Sequence, residues 1–199
     1  YTGCTNGLGK PCKVADQGGT TEYAYDGHGT LRQIARTELG ATYVTKYTYD
    51  AVNRTLTVTY PDGRIVTYTR DVLGRIAQVS MTKDGVTTVL ASGITYRADG
   101  LPKSIAYGNG LTETMTHDQR GQLTHQTLGS ETHDYSYDLN GNLTQAIRAN
   151  GTSLYAYDVL DRLTQETSAS IGQLGYSYDA NGNRLSLLDN GETKNYAYS

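Results

Sequence analysis

Tyr135-Ser136-Tyr137-Asp138-Leu139-Asn140-Gly141-Asn142-Leu143 is followed by Tyr155-Ala156-Tyr157-Asp158-Val159-Leu160-Asp161-Arg162-Leu163, and that by Tyr176-Ser177-Tyr178-Asp179-Ala180-Asn181-Gly182. The pattern is already present at Tyr23-Ala24-Tyr25-Asp26-Gly27-His28-Gly29 and Tyr47-Thr48-Tyr49-Asp50-Ala51-Val52-Asn53. With the aspartate as origin, copies fall at Asp26, Asp50, Asp71, Arg97, Asp118, Asp138, Asp158 and Asp179, in steps of 20 to 26 residues. A ninth begins at Tyr196-Ala197-Tyr198-Ser199. A period of this size marks stacked supersecondary units, in which each unit buries its surface against the next.

Within a unit, the two tyrosines are two residues apart, so on a strand both rings leave one face while the aspartate points to the other. Aspartate suits the first position of a type I turn, and the fourth position, at left-handed φ, suits glycine. Gly29, Gly74, Gly121, Gly141 and Gly182 occupy that fourth position. The copies without glycine carry Asn53 and Asp161, residue types that tolerate positive φ comparatively well. A second strand follows, clearest in Thr55-Leu56-Thr57-Val58-Thr59-Tyr60, where polar and apolar residues alternate. Further turn signals stand at Asp62-Gly63, Asp84-Gly85, Asn109-Gly110, Asn150-Gly151 and Asn190-Gly191, dipeptides that favour type I′ hairpins. Strand, turn, strand, turn predicts an all-β chain of antiparallel hairpin repeats, growing as one twisted strip. The reading is a single array over residues 1–199, with worn units near 94–102 and 115–123. There Arg97 replaces the aspartate, and Met115 and His117 replace the two tyrosines; earlier, Arg70 replaces the second tyrosine beside Asp71. Local irregularity is expected at these units.

Composition agrees with a thin, partly wetted sheet. All the aromatic residues are tyrosine, 18 of them, with no phenylalanine or tryptophan; a phenol packs its ring while its hydroxyl finds a polar partner. Threonine, β-branched, favours pleated structure. The formal net charge is −3 with no lysine or arginine run, which argues against nucleic acid as a partner. Nothing approaches eighteen consecutive apolar residues, so this segment is not expected to insert in a membrane. Because Tyr1 and Ser199 both lie in repeat-like sequence, the chain reads as a piece of a longer protein.

The run from Tyr137 to Leu143 and that from Tyr157 to Leu163 follow Tyr-Asp-x-x-Gly-Arg/Asn-Leu, with Asp161 standing for the glycine in the second. This resembles the YD repeat of rearrangement-hotspot (RHS) proteins, found in bacterial polymorphic toxins, the C components of insecticidal toxin complexes and the teneurins. The resemblance covers nearly the whole chain. It implies a sheet strip that spirals into part of a hollow shell, whose partners are the rest of the parent RHS protein and an enclosed C-terminal toxin. It also implies a secreted or cell-surface protein, without catalysis or cofactor in this segment. In the family an Asp-Pro stretch accompanies self-cleavage between shell and cargo. Pro11, Pro61 and Pro102 are the only prolines here and none follows an aspartate, so autoproteolysis is assigned to no residue. The alternative is a cell-surface adhesion module that binds carbohydrate or protein with an exposed tyrosine face. The side on which the rings lie separates the two. Open sheet edges also invite self-association of the isolated segment.

Other chemistry has weaker support. Cys4 and Cys12, the only thiols, bracket Asn6-Gly7, so a hairpin can bring them together as a disulfide; two reduced thiols are the alternative. His28, His117, His125 and His133, with Ser136 or Asp134, form no recognisable nucleophile or zinc motif. Asp138 to Asn142 and Asp179 to Asn183 superficially suggest calcium loops, but the glycine comes too early and no bidentate glutamate follows. No metal is expected.

Overall fold

A computed structural model describes residues 4–198. Tyr1, Thr2, Gly3 and Ser199, at the two ends of the repeat-like sequence, lie outside the described residues. Contacts divide the chain into two units, Tyr1–Thr95 with Ala106–Gly110, and Tyr96–Ile105 with Leu111–Ser199.

The first unit is an antiparallel meander of β1 (Lys13–Asp16), β2 (Gly19–Tyr25), β3 (Leu31–Glu38), β4 (Ala41–Tyr49), β5 (Thr55–Thr59), β6 (Ile65–Arg70), β7 (Ile76–Lys83) and β8 (Val86–Tyr96), whose last residue belongs to the second unit, each strand paired with the next. β9 (Pro102–Tyr107) divides between the two units. The second unit runs likewise through β10 (Thr112–His117), β11 (Leu123–Leu128), β12 (Glu131–Tyr137), β13 (Leu143–Arg148), β14 (Gly151–Tyr157), β15 (Leu163–Ser168), β16 (Gly172–Tyr178), β17 (Arg184–Asp189) and β18 (Glu192–Asn195). No described residue is helical, and the expected all-β, antiparallel hairpin fold holds.

Register sorts the side chains onto two faces. Tyr135 pairs with Ala146, Ala146 with Ser153, and Ser153 with Ser168, so the tyrosine face is floored by small residues over which rings can lie. Ala146 is wholly buried there. The residue between each pair of tyrosines, such as Ala24, Thr48, Ser136, Ala156 or Ser177, is exposed on the other face. That face is tied by cross-strand hydroxyl contacts: Thr48–Thr57 at 2.6 Å and Thr82–Thr87 at 2.8 Å in the first unit, Thr114–Thr127 and Ser177–Ser186 at 2.6 Å in the second. Among the described residues the only buried apolar side chains are Cys12, Val58 and Ala146. With so thin a core, contacts between neighbouring repeats carry much of the stability.

The motif turns at Asp26, Asp50, Asp71, Asp118, Asp138, Asp158 and Asp179 combine a type I turn with a left-handed fourth residue and a one-residue bulge, the three-residue hairpin geometry. At Asp138 the Gly141 N–H donates to the Asp138 carbonyl at 3.2 Å, the Asp138 N–H donates to the Asn142 carbonyl at 2.9 Å, and the ladder slips between Ser136 and Tyr137. Asn53 and Asp161 adopt φ of 63° and 58°.

The far turns are less uniform than their dipeptides suggest. Asp84-Gly85 and Asn190-Gly191 have both residues at positive φ, as type I′ requires. Asp62-Gly63 and Asn109-Gly110 do not. There only the glycine is left-handed, and its N–H donates to the carbonyl of Tyr60 or Tyr107 at 3.0 Å, which reproduces the motif turn. At Asn150-Gly151 the loop is Ala149-Asn150, because Gly151 already pairs with Arg148. Leu39-Gly40, absent from the sequence expectation, takes φ of 49° and 82°.

Candidate functional site

The repeat junction is the site the sequence builds eight times, and its first component is the motif carboxylate. Asp158 Oδ1 accepts the backbone N–H of Leu160 at 2.9 Å and of Arg162 at 3.0 Å, while Oδ2 accepts Arg162 Nε at 2.7 Å. Asp26, Asp50, Asp138 and Asp179 repeat the Oδ1 pattern on residues two and four positions onward. Only a short acceptor reaches both N–H groups, which is why aspartate holds this position.

These bonds favour the ionised form. The backbone N–H of Thr30 and of Arg54 lowers the pKa of Asp26 and Asp50, and the side chains of Asn142, Arg162 and Asn183 do so for Asp138, Asp158 and Asp179. A carboxyl whose folded pKa is depressed contributes stability that is present above its unfolded value of about 4 and lost as pH falls through the folded value. Circular dichroism during acid titration should therefore show the sheet intact at pH 5 and weakening cooperatively below about pH 4. Asp158→Asn should flatten that dependence.

The second component crosses from one repeat to the next. Tyr157 Oη donates to the Leu143 carbonyl at 2.9 Å, Tyr137 Oη to Leu123 at 2.9 Å, Tyr178 Oη to Leu163 at 2.8 Å, and Tyr49 Oη to Leu31 at 2.7 Å. Each acceptor lies five residues after the preceding motif aspartate. Burial raises the pKa of Tyr49, Tyr137 and Tyr157, as expected of a phenol withdrawn from water. The residue four or six places after the aspartate adds a second link. Arg162 binds Asp158, donates to the Asp179 carbonyl at 2.9 Å and stands 4.7 Å over the Tyr178 ring; Arg32 binds Asp26 and stands 4.9 Å over Tyr49. Asp, Arg and Leu of one repeat thus hold the second tyrosine of the next. Sequence reasoning set the rings on one face but missed this clasp, since a carbonyl acceptor leaves no side-chain signature.

The worn units keep the backbone and alter the clasp. The Arg97 turn has the usual bonds, Gly100 N–H to the Arg97 carbonyl at 3.1 Å and Arg97 N–H to the Leu101 carbonyl at 2.8 Å, with Gly100 at φ 89°. Asp99 substitutes for the absent carboxylate, accepting the Leu101 N–H and pairing with Arg97 at 2.9 Å. The irregularity expected of this turn is therefore confined to its side chains. At Arg70 the guanidinium donates to the Thr55 carbonyl at 3.0 Å, the role a tyrosine hydroxyl plays elsewhere. His117 is too short for it, and its Nδ1 is buried with no hydrogen-bond partner among the described residues. A cavity of about 570 Å³ lined by Tyr96, Arg97, Lys103, Met115 and His117 adjoins it. His117→Tyr should let a phenol reach the Pro102 carbonyl and raise stability by about 1 kcal/mol in urea melts. A destabilised variant would show that the ring does not fit.

The remaining candidates stay apart. His125 Nδ1 meets Asp134 Oδ1 at 2.6 Å with both residues half-buried, His28 lies in a turn, and His133 packs edge-on to Tyr135 at 6.4 Å. Among the described residues no three His, Cys, Asp or Glu side chains converge as metal ligands. Asn140 and Asn142 both bind Asp161 Oδ1, at 2.8 and 2.7 Å, so these oxygens and amides satisfy one another across the junction. Cys4 and Cys12 are joined as a disulfide.

The RHS Repeat family model matches residues 25–65, 49–93, 117–153 and 137–170. The chain belongs to the RHS repeat family. Its fold is shared with the crystal structure of TcdB2-TccC3 without the hypervariable C-terminal region, at TM-score 0.81 and 20% identity over 94% of this chain and 12% of that one. TcdB2-TccC3-Cdc42 and the Photorhabdus luminescens Tc holotoxin pore with mutated TccC3 give TM-scores of 0.80, also at 20% identity and the same 94% and 12% coverage. The RHS segment thus spans about an eighth of the chains it resembles. No curated protein matches its sequence.

Proposed function

We propose that the RHS segment is wall material of a hollow shell that encloses and delivers a toxin polypeptide outside the producing cell, without itself catalysing a reaction. The observation that carries this reading is the direction of the phenols. Tyr49, Tyr137, Tyr157 and Tyr178 each use the hydroxyl to bind the preceding repeat, so the face that an adhesin would present to a ligand is engaged in holding the wall together. The likeness in fold to TcdB2-TccC3 structures supports the same assignment. Membership of the RHS family agrees with it.

Limited proteolysis of the intact parent protein tests the proposal. A cargo segment should resist protease while the repeats are folded and become sensitive once acid or urea opens them. Cleavage of every non-repeat segment at the rate of a free peptide, together with saturable binding of the RHS segment to cells or glycans, would favour adhesion.

A further inference from the structure

We propose that residues 4–12 are a further copy of the repeat, closed by the Cys4–Cys12 disulfide where the other copies use a carboxylate, and that reduction opens this copy alone. Asn6 stands 20 residues before Asp26, the same step that separates Asp138 from Asp158. Counting from Asn6, Gly9 falls on the fourth turn position and has φ 72°. Lys10, four after Asn6, donates to the Gly29 carbonyl and lies 5.3 Å from the Tyr25 ring centre. Arg54 and Gln122 hold the same place in their units and donate to the carbonyls of Gly74 and Gly141. Pro11, five after Asn6, accepts the Tyr25 hydroxyl at 2.8 Å, as Leu143 accepts that of Tyr157. The fourth, fifth and sixth positions therefore follow a repeat in its register, Gly9 by its backbone and Lys10 and Pro11 by their contacts, although the sequence there has neither tyrosine nor aspartate.

What differs is the closure, together with the backbone of the first position, where Asn6 takes φ 64°. The turn bonds run from Gly7 N–H to the Cys4 carbonyl at 3.2 Å and from Lys10 N–H to the Gly7 carbonyl at 2.9 Å. The disulfide instead joins the residue two before Asn6 to the residue six after it. A Cβ on Gly7 would come 2.1 Å from Cys4 Sγ and 2.9 Å from Cys12 Sγ, so the chain lies directly against the bridge. The Cys12 carbonyl then accepts the Tyr23 N–H at 2.9 Å, which ties the loop to β2.

Attack by a dithiol reductant transfers two electrons to the S–S bond; with two protons Cys4 and Cys12 become thiols, and the reductant leaves as its own disulfide. Units of a repeat array open locally when their own closure fails. The copy is thus closed in an oxidising extracellular setting and open in a reducing cytosol.

Hydrogen exchange on the whole chain, with and without dithiothreitol, tests this. The oxidised chain should weigh two hydrogens less than the reduced one. Reduction should raise exchange at the Tyr23 amide by roughly a hundredfold, leaving the Asp50, Asp138 and Asp179 amides unchanged. The Cys4→Ser/Cys12→Ser double variant should show the same rise without reductant. An unaltered Tyr23 amide in both experiments, a chain that never forms the bridge in air, or a loss of protection extending to Asp50 would each overturn the proposal.

Discussion

Tyr157→Ala should lower the free energy of unfolding by about 3 kcal/mol, and Tyr157→Phe by about 1 kcal/mol. The alanine removes a ring that lies across the junction together with its bond to the Leu143 carbonyl; the phenylalanine removes only the bond. Urea melts measure both. The same substitutions at Tyr137, which makes the equivalent bond to Leu123, should have similar effects, because the repeats are interchangeable in this respect. An alanine variant no weaker than the phenylalanine one would mean that the ring contributes no packing.

Gly141→Val should be of comparable severity, roughly 2–3 kcal/mol. Gly141 has φ 97°, a region where a β-branched side chain clashes with its own backbone. Its new Cβ would also stand 3.2 Å from Gln122 Nε2, but that amide is the far end of a flexible chain and can move. The backbone term therefore dominates. Gly141→Asn should cost only about 1 kcal/mol, since Asn53 already occupies the same turn position at φ 63°. A thermal scan showing valine and asparagine variants to be equally stable would contradict the left-handed turn as the source of the effect.

Much of this architecture could be read before any coordinates. Asp-x-x-Gly announced the motif turn because its constraints are local: a short acceptor at one position and tolerance of positive φ three residues later. The substitutions Asn53 and Asp161 made the second constraint visible. Tyrosine alternation likewise placed the rings, as strand geometry leaves no other choice. Turns outside the motif were harder. Asp62-Gly63 and Asn109-Gly110 contain the residues of a type I′ turn, yet a glycine can close a type I turn begun three residues earlier, and in both cases it does. Leu39-Gly40 went unread because leucine seldom adopts φ 49° and is driven there by the pairing of Glu38 with Ala41.

The junction itself was only half legible. Conserving the acceptor of the tyrosine clasp requires no particular side chain, so Leu143, Pro11 and Thr55 serve equally through their carbonyls. Arg97 looked like damage to the motif, but Asp99, two residues on, restores a carboxylate to the turn. His117 is the reverse case. Its replacement of tyrosine looks mild in size, and it leaves a buried nitrogen without a partner among the described residues.

The central claim is that one hydrogen-bonded corner recurs in register along the chain. Native-state exchange of individual amides tests it most directly. Slow exchange should appear at Asp138, Gly141 and Asn142, again at Asp158, Asp161 and Arg162, and again at Asp179, Gly182 and Asn183, with fast exchange at Leu139, Val159 and Ala180 between them. Protection without that recurrence, or fast exchange at the three aspartate amides, would contradict it.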